Sequence, residues 1–198
     1  AFPDKLSRVE NEPIVIRKNK KVDKVALISG GGSGHEPAHA GFVGHGMLDA
    51  AVCGEIFTSP GADKVYNAIK AVDGGKGVLL IIKNYSGDIM NFEMAGEMAQ
   101  AEGINVKQVV VDDDIAVENS TYTVGRRGIA GTIFVHKILG AAAEKGYDLD
   151  KLVELGNKVV KNLKTMGMSL KACTVFTTGK ESFEIADDEV EIGLGIHG

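Results

Sequence analysis

Three short runs of aliphatic residues constrain the fold of this chain more than any other feature. They are rich in valine and isoleucine and occupy residues 25–28, 78–82 and 109–111. Runs of this length are typical of strands that are buried on both faces of a sheet. Apolar residues at helical spacing predict helices over about 62–72, 89–102, 129–145 and 149–166. Strands that alternate with helices need crossover connections, so the sequence predicts an α/β fold with a mainly parallel sheet and flanking helices.

The last thirty residues follow a different pattern. Strands are predicted over residues 169–177 and 183–196, where apolar side chains alternate strictly near the end of the chain. We therefore expect a C-terminal antiparallel extension of the fold. The alternation places His197 on the face opposite the apolar residues, beside glycines that clear space around it. A histidine in this setting is accessible to a ligand, which makes it a candidate functional residue.

The length and composition indicate one ordinary globular domain over residues 1–198. The chain is 44% hydrophobic and 25% charged, which excludes disorder, coiled coil and collagen. The net charge of −5 provides no basic surface for nucleic acid. The longest aliphatic run is far too short to cross a membrane. Cys53 and Cys173 lack metal-ligand spacing and fit a reduced compartment, so we expect a cytoplasmic protein.

A dense glycine cluster follows the first predicted strand. Residues 29–37 read SGGGSGHEP, in a chain that holds 26 glycines. Backbone amides in such a turn can surround an anion or a small polar ligand at the carboxyl edge of a sheet. The spacing matches neither the dinucleotide-binding fingerprint nor the phosphate-binding loop. We favour a binding turn over a merely flexible one, with His35 as the first side chain available for proton transfer.

A second polar cluster, residues 83–88 (KNYSGD), follows another buried strand. Asp88 directly precedes a predicted helix, so it is the N-cap of that helix, a carboxylate base, or both if its two oxygens divide the work. Lys83 ends an aliphatic strand, where a buried ammonium needs a partner. Because the carboxyl ends of parallel strands meet at one edge, we expect this cluster to lie near the glycine cluster.

Two charged motifs and three histidines permit more than one interpretation. Asp112, Asp113 and Asp114 invite a magnesium site, although we favour a strand end with structural acids. Arg126 and Arg127 either hold phosphate or a partner's carboxylates or are simple surface charge, and the sequence leaves this open. The remaining histidines have no obvious partner and are predicted to be packing or surface residues: His39, His45 and His136.

Five motifs, in this order along nearly the whole chain, resemble the dihydroxyacetone kinase family. They are SGGGSGHEP, GEIFTSP at 54–60, KNYSGD, GRRG at 125–128 and the terminal GIHG. The run VVVDDDIAVENS at 109–120 resembles the stand-alone bacterial substrate-binding subunits that work with the phosphoenolpyruvate phosphotransferase system. It is less similar to the fused ATP-dependent kinases of the same family.

The resemblance implies a covalent mode of substrate binding. In this family the histidine of GIHG, here His197, adds to the ketone of dihydroxyacetone and forms a hemiaminal. Such a bond excludes glycerol, which has no carbonyl, and fixes the reacting hydroxyl in place. Asp88 is implied as the base and His35 as a hydrogen-bonding or proton-accepting residue. The implied substrate-binding residues are Gly32, Ser33, Gly34, His35, Lys83 and Asp88.

The resemblance also implies partners. A separate helical kinase subunit is expected to carry ADP and magnesium, which leaves this chain without a cofactor or a metal site of its own. Family members continue with a further lobe after GIHG, so we expect this chain to be a fragment of a protein that is a homodimer at full length. The alternative function is that of a non-catalytic paralogue, which binds dihydroxyacetone as a sensor or transcriptional coactivator.

Overall fold

A six-stranded sheet forms the centre of the computed structural model, which describes residues 2–19, 23–118, 123–174 and 178–196. The strands are β1 (Leu6–Arg8), β2 (Ile14–Arg17), β3 (Ala26–Ser33), β4 (Ala50–Ile56), β5 (Val78–Lys83) and β6 (Val106–Val111). They are ordered β1-β2-β4-β3-β5-β6. The last four in this order are parallel, and β1 and β2 add antiparallel strands at one edge. The predicted mainly parallel sheet is confirmed.

Two helices pack on each face of this sheet. The helices are α1 (Ala62–Val72), α2 (Ser86–Ala101), α3 (Thr132–Glu144) and α4 (Leu149–Asn162). Helices α1 and α2 bury one set of strand residues, including Leu80 and Ile82, and helices α3 and α4 bury the other, including Leu79 and Ile81. The aliphatic runs are continuous because successive side chains enter opposite cores. Among the described residues, no helix is long and apolar enough to cross a membrane.

The boundaries of several elements differ from those predicted. Helix α1 has the predicted bounds, and Asp148 caps α4 by accepting from the backbone N–H of Lys151 at 2.9 Å. Helix α2 begins at Ser86, three residues before the predicted start, and α4 ends at Asn162 rather than at 166. Strands β1, β2 and β4 were not predicted, because β1 and β2 are short and the alanine-rich β4 carries only a weak strand pattern.

The glycine cluster is part of a strand rather than a turn. Residues 29–33 continue β3, and the chain turns only after Ser33. A Cβ atom at Gly30 would lie 2.4 Å from the carbonyl oxygen of Val52 in the neighbouring strand. Glycine is therefore required here by the close approach of two backbones, which is a packing role that the sequence pattern does not distinguish from ligand binding.

The C-terminal antiparallel extension is present but much shorter than predicted. It consists of β7 (Met168–Ser169) and β8 (Glu191–Ile192), in which Met168 pairs with Ile192. Between them the described residues are mostly exposed and form only an isolated bridge from Thr174 to Glu181. Alternation alone does not make a strand, since the backbone also needs a partner for its hydrogen bonds.

A network of ion pairs closes the amino-terminal end of the sheet. Lys24 Nζ lies 2.5 Å from Asp49 Oδ2, and Arg17 Nη1 lies 3.0 Å from Asp49 Oδ1 and 2.6 Å from Glu144 Oε1. Asp49 also accepts from the backbone N–H of Leu27 at 2.8 Å. These pairs tie the starts of β3 and β4 to the end of α3. The charged groups at the opposite, carboxyl edge are arranged differently.

Candidate functional site

An ammonium and a carboxylate, both buried, converge over Gly31 at the carboxyl edge of the sheet. Lys83 is the last residue of β5 and is 4% exposed, whereas Asp88 lies in the first turn of α2 and is 6% exposed. A Cβ atom at Gly31 would lie 3.3 Å from Lys83 Nζ and 3.8 Å from Asp88 Oδ2. Within the described chain, Lys83 and Asp88 form no direct ion pair, and Nζ has no hydrogen-bond partner. The two groups are thus available to polar atoms of a small ligand.

Burial dominates the electrostatics of this pair. Desolvation lowers the pKa of Lys83, and the nearby charge of Asp88 opposes that shift. Desolvation likewise raises the pKa of Asp88, against the effects of hydrogen bonding from Ser59 and of the Lys83 charge. A carboxylate whose pKa is raised is a stronger base than an exposed aspartate, and the ammonium beside it is a hydrogen-bond donor. The pair can therefore orient a hydroxyl group and accept its proton.

The structure rejects the N-cap interpretation of Asp88. The N-cap of α2 is Tyr85, so Asp88 is the third residue of the helix. Its side chain faces the sheet edge beside Gly31, where the nearby hydroxyl of Ser59 acts to lower its pKa. Ser59 and Gly31 are residues of this site that the sequence analysis did not single out. The signal was present in both cases, because Ser59 lies in GEIFTSP and Gly31 lies within the glycine cluster.

Residues 32–34 lead away from this point and make contacts within the protein. A Cβ atom at Gly32 would lie 2.6 Å from the backbone nitrogen of Thr58. Ser33 Oγ donates to the carbonyl oxygen of Gly54 at 2.7 Å. The N–H of Gly34, at φ +104°, donates to the Glu36 carboxylate at 3.1 Å. These contacts shape the loop, and the predicted contacts of Gly32, Ser33 and Gly34 with a substrate stay predictions.

His35 lies on the loop that follows β3. Its ring stacks on Phe57, which follows β4, with 5.1 Å between the ring centroids and 28° between the planes. Since β3 and β5 are neighbouring parallel strands, His35, two residues after β3, and Lys83, the last residue of β5, lie at the same edge of the sheet. The structure therefore gathers His35, Lys83 and Asp88 at one edge, as predicted from the strand ends, although their catalytic roles stay predictions.

His197, the predicted covalent residue, lies outside the described residues. The segment before it is held by Arg127, whose Nη2 donates to the carbonyl oxygen of Gly193 at 2.6 Å. A Cβ atom at Gly195 would lie 2.4 Å from Arg127 Nη1, so this glycine gives room to the guanidinium. The N–H of Gly193 also donates to the carbonyl oxygen of Gly167 at 2.8 Å. The chain is thus anchored up to the residues that immediately precede His197.

The arginines and two of the three aspartates are each other's partners. Arg127 Nε donates to Asp114 Oδ2 at 2.8 Å in a buried pair, and Arg126 Nη2 lies 3.5 Å from Asp112 Oδ2 in a half-exposed pair. The guanidinium of Arg127 is therefore committed within the chain. Asn84 supports this loop by donating to the carbonyl oxygens of residues 124 and 126, at 3.0 and 2.7 Å.

Asp113 has a structural role at the start of α3. Its Oδ1 accepts from the backbone N–H of Ile129 and its Oδ2 from that of Gly131, each at 2.8 Å. The hydroxyl of Thr165 donates to the same carboxylate. Since all of these bonds are made within the protein, the carboxylate does not have the free oxygens that a magnesium ion requires. The structural interpretation of the triple aspartate is the one that this geometry supports.

Comparison with known proteins assigns these features to a family. The family model described as the Dak1 domain matches residues 1–198. The dihydroxyacetone-binding subunit of the PTS-dependent dihydroxyacetone kinase of Lactococcus lactis is 62% identical over 197 residues. That alignment covers all of this chain but only 59% of the relative, so the chain spans about three fifths of the longer protein.

Solved structures show the same fold. The dihydroxyacetone kinase of C. freundii superposes with a TM-score of 0.88 at 45% identity, over 98% of this chain and 36% of that one. A dihydroxyacetone kinase operon co-activator superposes with a TM-score of 0.90 at 42% identity, over 97% of this chain and 59% of the other. A kinase and a co-activator therefore share the architecture described above, and the fold alone does not separate the two functions.

Proposed function

Because this chain belongs to the Dak1 domain family, we propose that it is the dihydroxyacetone-binding part of a phosphoenolpyruvate-dependent dihydroxyacetone kinase. The observation that carries the proposal is the convergence of Lys83 and Asp88 over Gly31. Dihydroxyacetone is small and uncharged, with a ketone between two hydroxyl groups. An ammonium donor and a carboxylate acceptor, buried side by side without bonding each other, match the oxygens of such a molecule.

In the proposed reaction Asp88 acts as the base. Its carboxylate accepts the proton of a substrate hydroxyl while the hydroxyl oxygen attacks the phosphorus of the donor. A new P–O bond forms to the substrate, and the bond between the phosphorus and the donor breaks. Base catalysis of this kind contributes roughly 10²–10⁴-fold to a rate. Lys83 holds a substrate oxygen by hydrogen bonding, and His35 is the second candidate for proton transfer.

His197 provides the specificity in this proposal. An imidazole nitrogen adds to the carbonyl carbon as the C=O π bond breaks, the ring gives up its N–H proton, and the carbonyl oxygen takes up one proton and becomes the hydroxyl of a hemiaminal. A polyol without a carbonyl cannot form this bond, so glycerol is excluded by chemistry rather than by size. The anchoring of Gly193 by Arg127 supports a defined position for the segment that leads to His197.

The phosphoryl donor is proposed to be a separate subunit that carries ADP and magnesium. The Lactococcus lactis relative is itself named as one subunit of its kinase, which supports a divided enzyme. The aspartates of residues 112–114 bond to arginines, amides and a hydroxyl of this chain, so we assign no nucleotide or metal to them. A homodimer of the full-length protein remains part of this proposal.

A carbon-13 experiment tests the proposal directly. Dihydroxyacetone labelled at its carbonyl is mixed with the wild-type chain, with His197→Ala and with His45→Ala as an exposed-histidine control. We expect the ketone resonance to be replaced by that of a tetrahedral carbon with the wild type and His45→Ala, but not with His197→Ala. An unchanged ketone resonance in all three samples would overturn the proposal.

The similarity to an operon co-activator supports one alternative, a sensor that binds dihydroxyacetone without phosphorylating it. A sensor needs the hemiaminal but not a base. The two functions are separated by mixing the chain with the donor subunit of the Lactococcus lactis kinase and measuring phosphoryl transfer. Transfer that depends on Asp88 supports the kinase, whereas substrate binding without any transfer supports the sensor.

A further inference from the structure

A buried pair of histidines joins the loop after β3 to helix α3. His39 is 5% exposed and His136 is fully buried, and their Nδ1 and Nε2 atoms lie 3.0 Å apart. The rings meet edge to face, with 5.3 Å between centroids. The sequence pattern predicted packing or surface histidines without partners, and it could not predict this bond because 97 residues separate the two. His45, by contrast, has a side chain that is 82% exposed.

The histidine pair is uncharged, and its hydrogen-bond partners restrict where its N–H protons lie. Burial lowers the pKa of His39 well below its usual value and that of His136 to about 3, and the charge of Lys83 lowers both further. The hydroxyl of Ser29 donates to the carbonyl oxygen of Ile81 at 2.7 Å. Its oxygen, 3.4 Å from His39 Nδ1, is left to accept. In the neutral pair, one N–H therefore lies between the two rings. Because neither imidazole is protonated, the pair places no second positive charge near Lys83.

The pair anchors the loop that carries His35. Over residues 34–42, His39 is the one buried residue. Backbone bonds such as Ala38 N–H to the carbonyl oxygen of His35, at 3.0 Å, stay within the loop. Ala40 and Phe42 pack against the core formed by the sheet and helix α3, and the loop's side-chain hydrogen bond to α3 runs from His39 to the ring of His136. A substitution of His136 that displaces His39 is therefore expected to displace His35, which lies four positions earlier on the same loop.

We propose that His136 is a positioning residue: its bond to His39 holds the loop, and with it His35, against the substrate site near Lys83. Packing alone does not explain the pair, because burying two polar imidazoles costs more free energy of hydration than burying two aliphatic side chains of similar size. A buried hydrogen bond between them instead defines one arrangement of loop and helix. The proposal rests on the function proposed above, in which His35 contacts dihydroxyacetone.

Three variants at residue 136 test the proposal in the whole chain. His136→Leu fills the space without a hydrogen bond, and His136→Asn is polar but too short to reach His39. His136→Gln keeps a side-chain N–H at about the right distance. His45→Leu is the matched control for loss of a histidine. Dihydroxyacetone affinity is measured by titration, the His35 ring by nuclear magnetic resonance, and folding by thermal unfolding.

We expect His136→Leu and His136→Asn to bind dihydroxyacetone about tenfold more weakly, because a misplaced contact loses much of its effect. Their His35 ring resonances should shift, and those of His136→Gln and His45→Leu should match the wild type. Wild-type affinity and unshifted His35 resonances in folded His136→Leu or His136→Asn would overturn the inference. If the wild type itself does not bind dihydroxyacetone, the proposed function fails, and the His35 resonances still decide the positioning role.

Discussion

Arg127 donates to Asp114 in a buried ion pair and, with the same guanidinium, holds the backbone of residue 193. The Nη2 atom lies 2.6 Å from Asp114 Oδ2 and 2.6 Å from the carbonyl oxygen of Gly193. Asp114 follows β6, so this pair connects the carboxyl edge of the sheet to the chain that leads to His197. Two motifs that look separate in the sequence, DDD and GRRG, act together as one structural support.

Replacing Arg127 with methionine is therefore expected to damage both stability and adduct formation. The substitution leaves the fully buried Asp114 carboxylate without its partner, which costs about 3–5 kcal/mol for a buried pair. Urea unfolding measures the loss, and carbon-13 labelled dihydroxyacetone measures the adduct. Arg126→Met is the matched control, since its half-exposed pair with Asp112 is worth about 1 kcal/mol or less. Equal losses in the two variants would contradict the structural role.

Asp88→Asn should separate binding from transfer. The amide has the shape of the carboxylate but cannot accept the proton, so phosphoryl transfer should fall by roughly 10²–10⁴-fold. Affinity for dihydroxyacetone should change far less, because the amide still forms hydrogen bonds. Transfer assays with a donor subunit and binding titrations measure the two effects. If the variant transferred phosphate at the wild-type rate, another group, with His35 first among the candidates, would be the base.

The pH dependence of transfer provides an independent check on Asp88. A base must be deprotonated, and burial raises the pKa of Asp88 above its ordinary value. The rate should therefore decline, as the pH is lowered, at a higher pH than an exposed aspartate would produce. Rate–pH profiles of the wild type measure this acid limb. The residual activity of Asp88→Asn should not show this decline at low pH. The same decline in both proteins would show that a group other than Asp88 causes it.

Acid should destabilise the fold through the histidine pair. An unfolded histidine takes up a proton near pH 6.5, whereas the pKa of folded His136 is lowered to about 3. Below pH 6.5 the unfolded state therefore binds more protons, and stability is lost as the pH falls toward 3. Each such group contributes about 1.4 kcal/mol per pH unit within this range.

Urea unfolding of the wild type and His136→Gln at pH 7.5, 6 and 5 measures this effect. The free energy of unfolding should fall more steeply with decreasing pH in the wild type, because the variant has one fewer buried group to protonate. Carboxylates that titrate in the same range contribute to both proteins and cancel in the difference. Parallel curves would show that burial does not suppress the charge of His136.

Gly32→Ala should disturb the end of β3. The added methyl group would lie 2.6 Å from the backbone nitrogen of Thr58 and 2.8 Å from the carbonyl carbon of Phe57, so backbone must shift. Overpacking of this kind costs about 1–3 kcal/mol. Gly44→Ala is the control, because nothing lies within 4 Å of the added Cβ there. Thermal unfolding and dihydroxyacetone titration compare the two, and a fully stable Gly32→Ala would refute the close approach.

The sequence by itself determined the core of the fold. The run at 78–82 is apolar at every position because the side chains of β5 enter two different cores, and periodicity reports this directly. Helix α1 and the Asp148 cap were predictable for the same reason, since both depend on residues within one or two turns. The position of Lys83 at a strand end likewise followed from local pattern, as did the meeting of polar clusters at one sheet edge.

The tertiary structure alone decided which of these residues face each other. Asp88 is a buried carboxylate beside Lys83 rather than a helix cap because α2 begins three residues before the predicted start and turns the side chain toward Gly31. The bond between His39 and His136 likewise joins residues 97 positions apart. Periodicity describes neighbours along the chain, whereas burial, pKa and pairing depend on neighbours in space. A single sequence does not contain those contacts until the sheet and its helices are assembled.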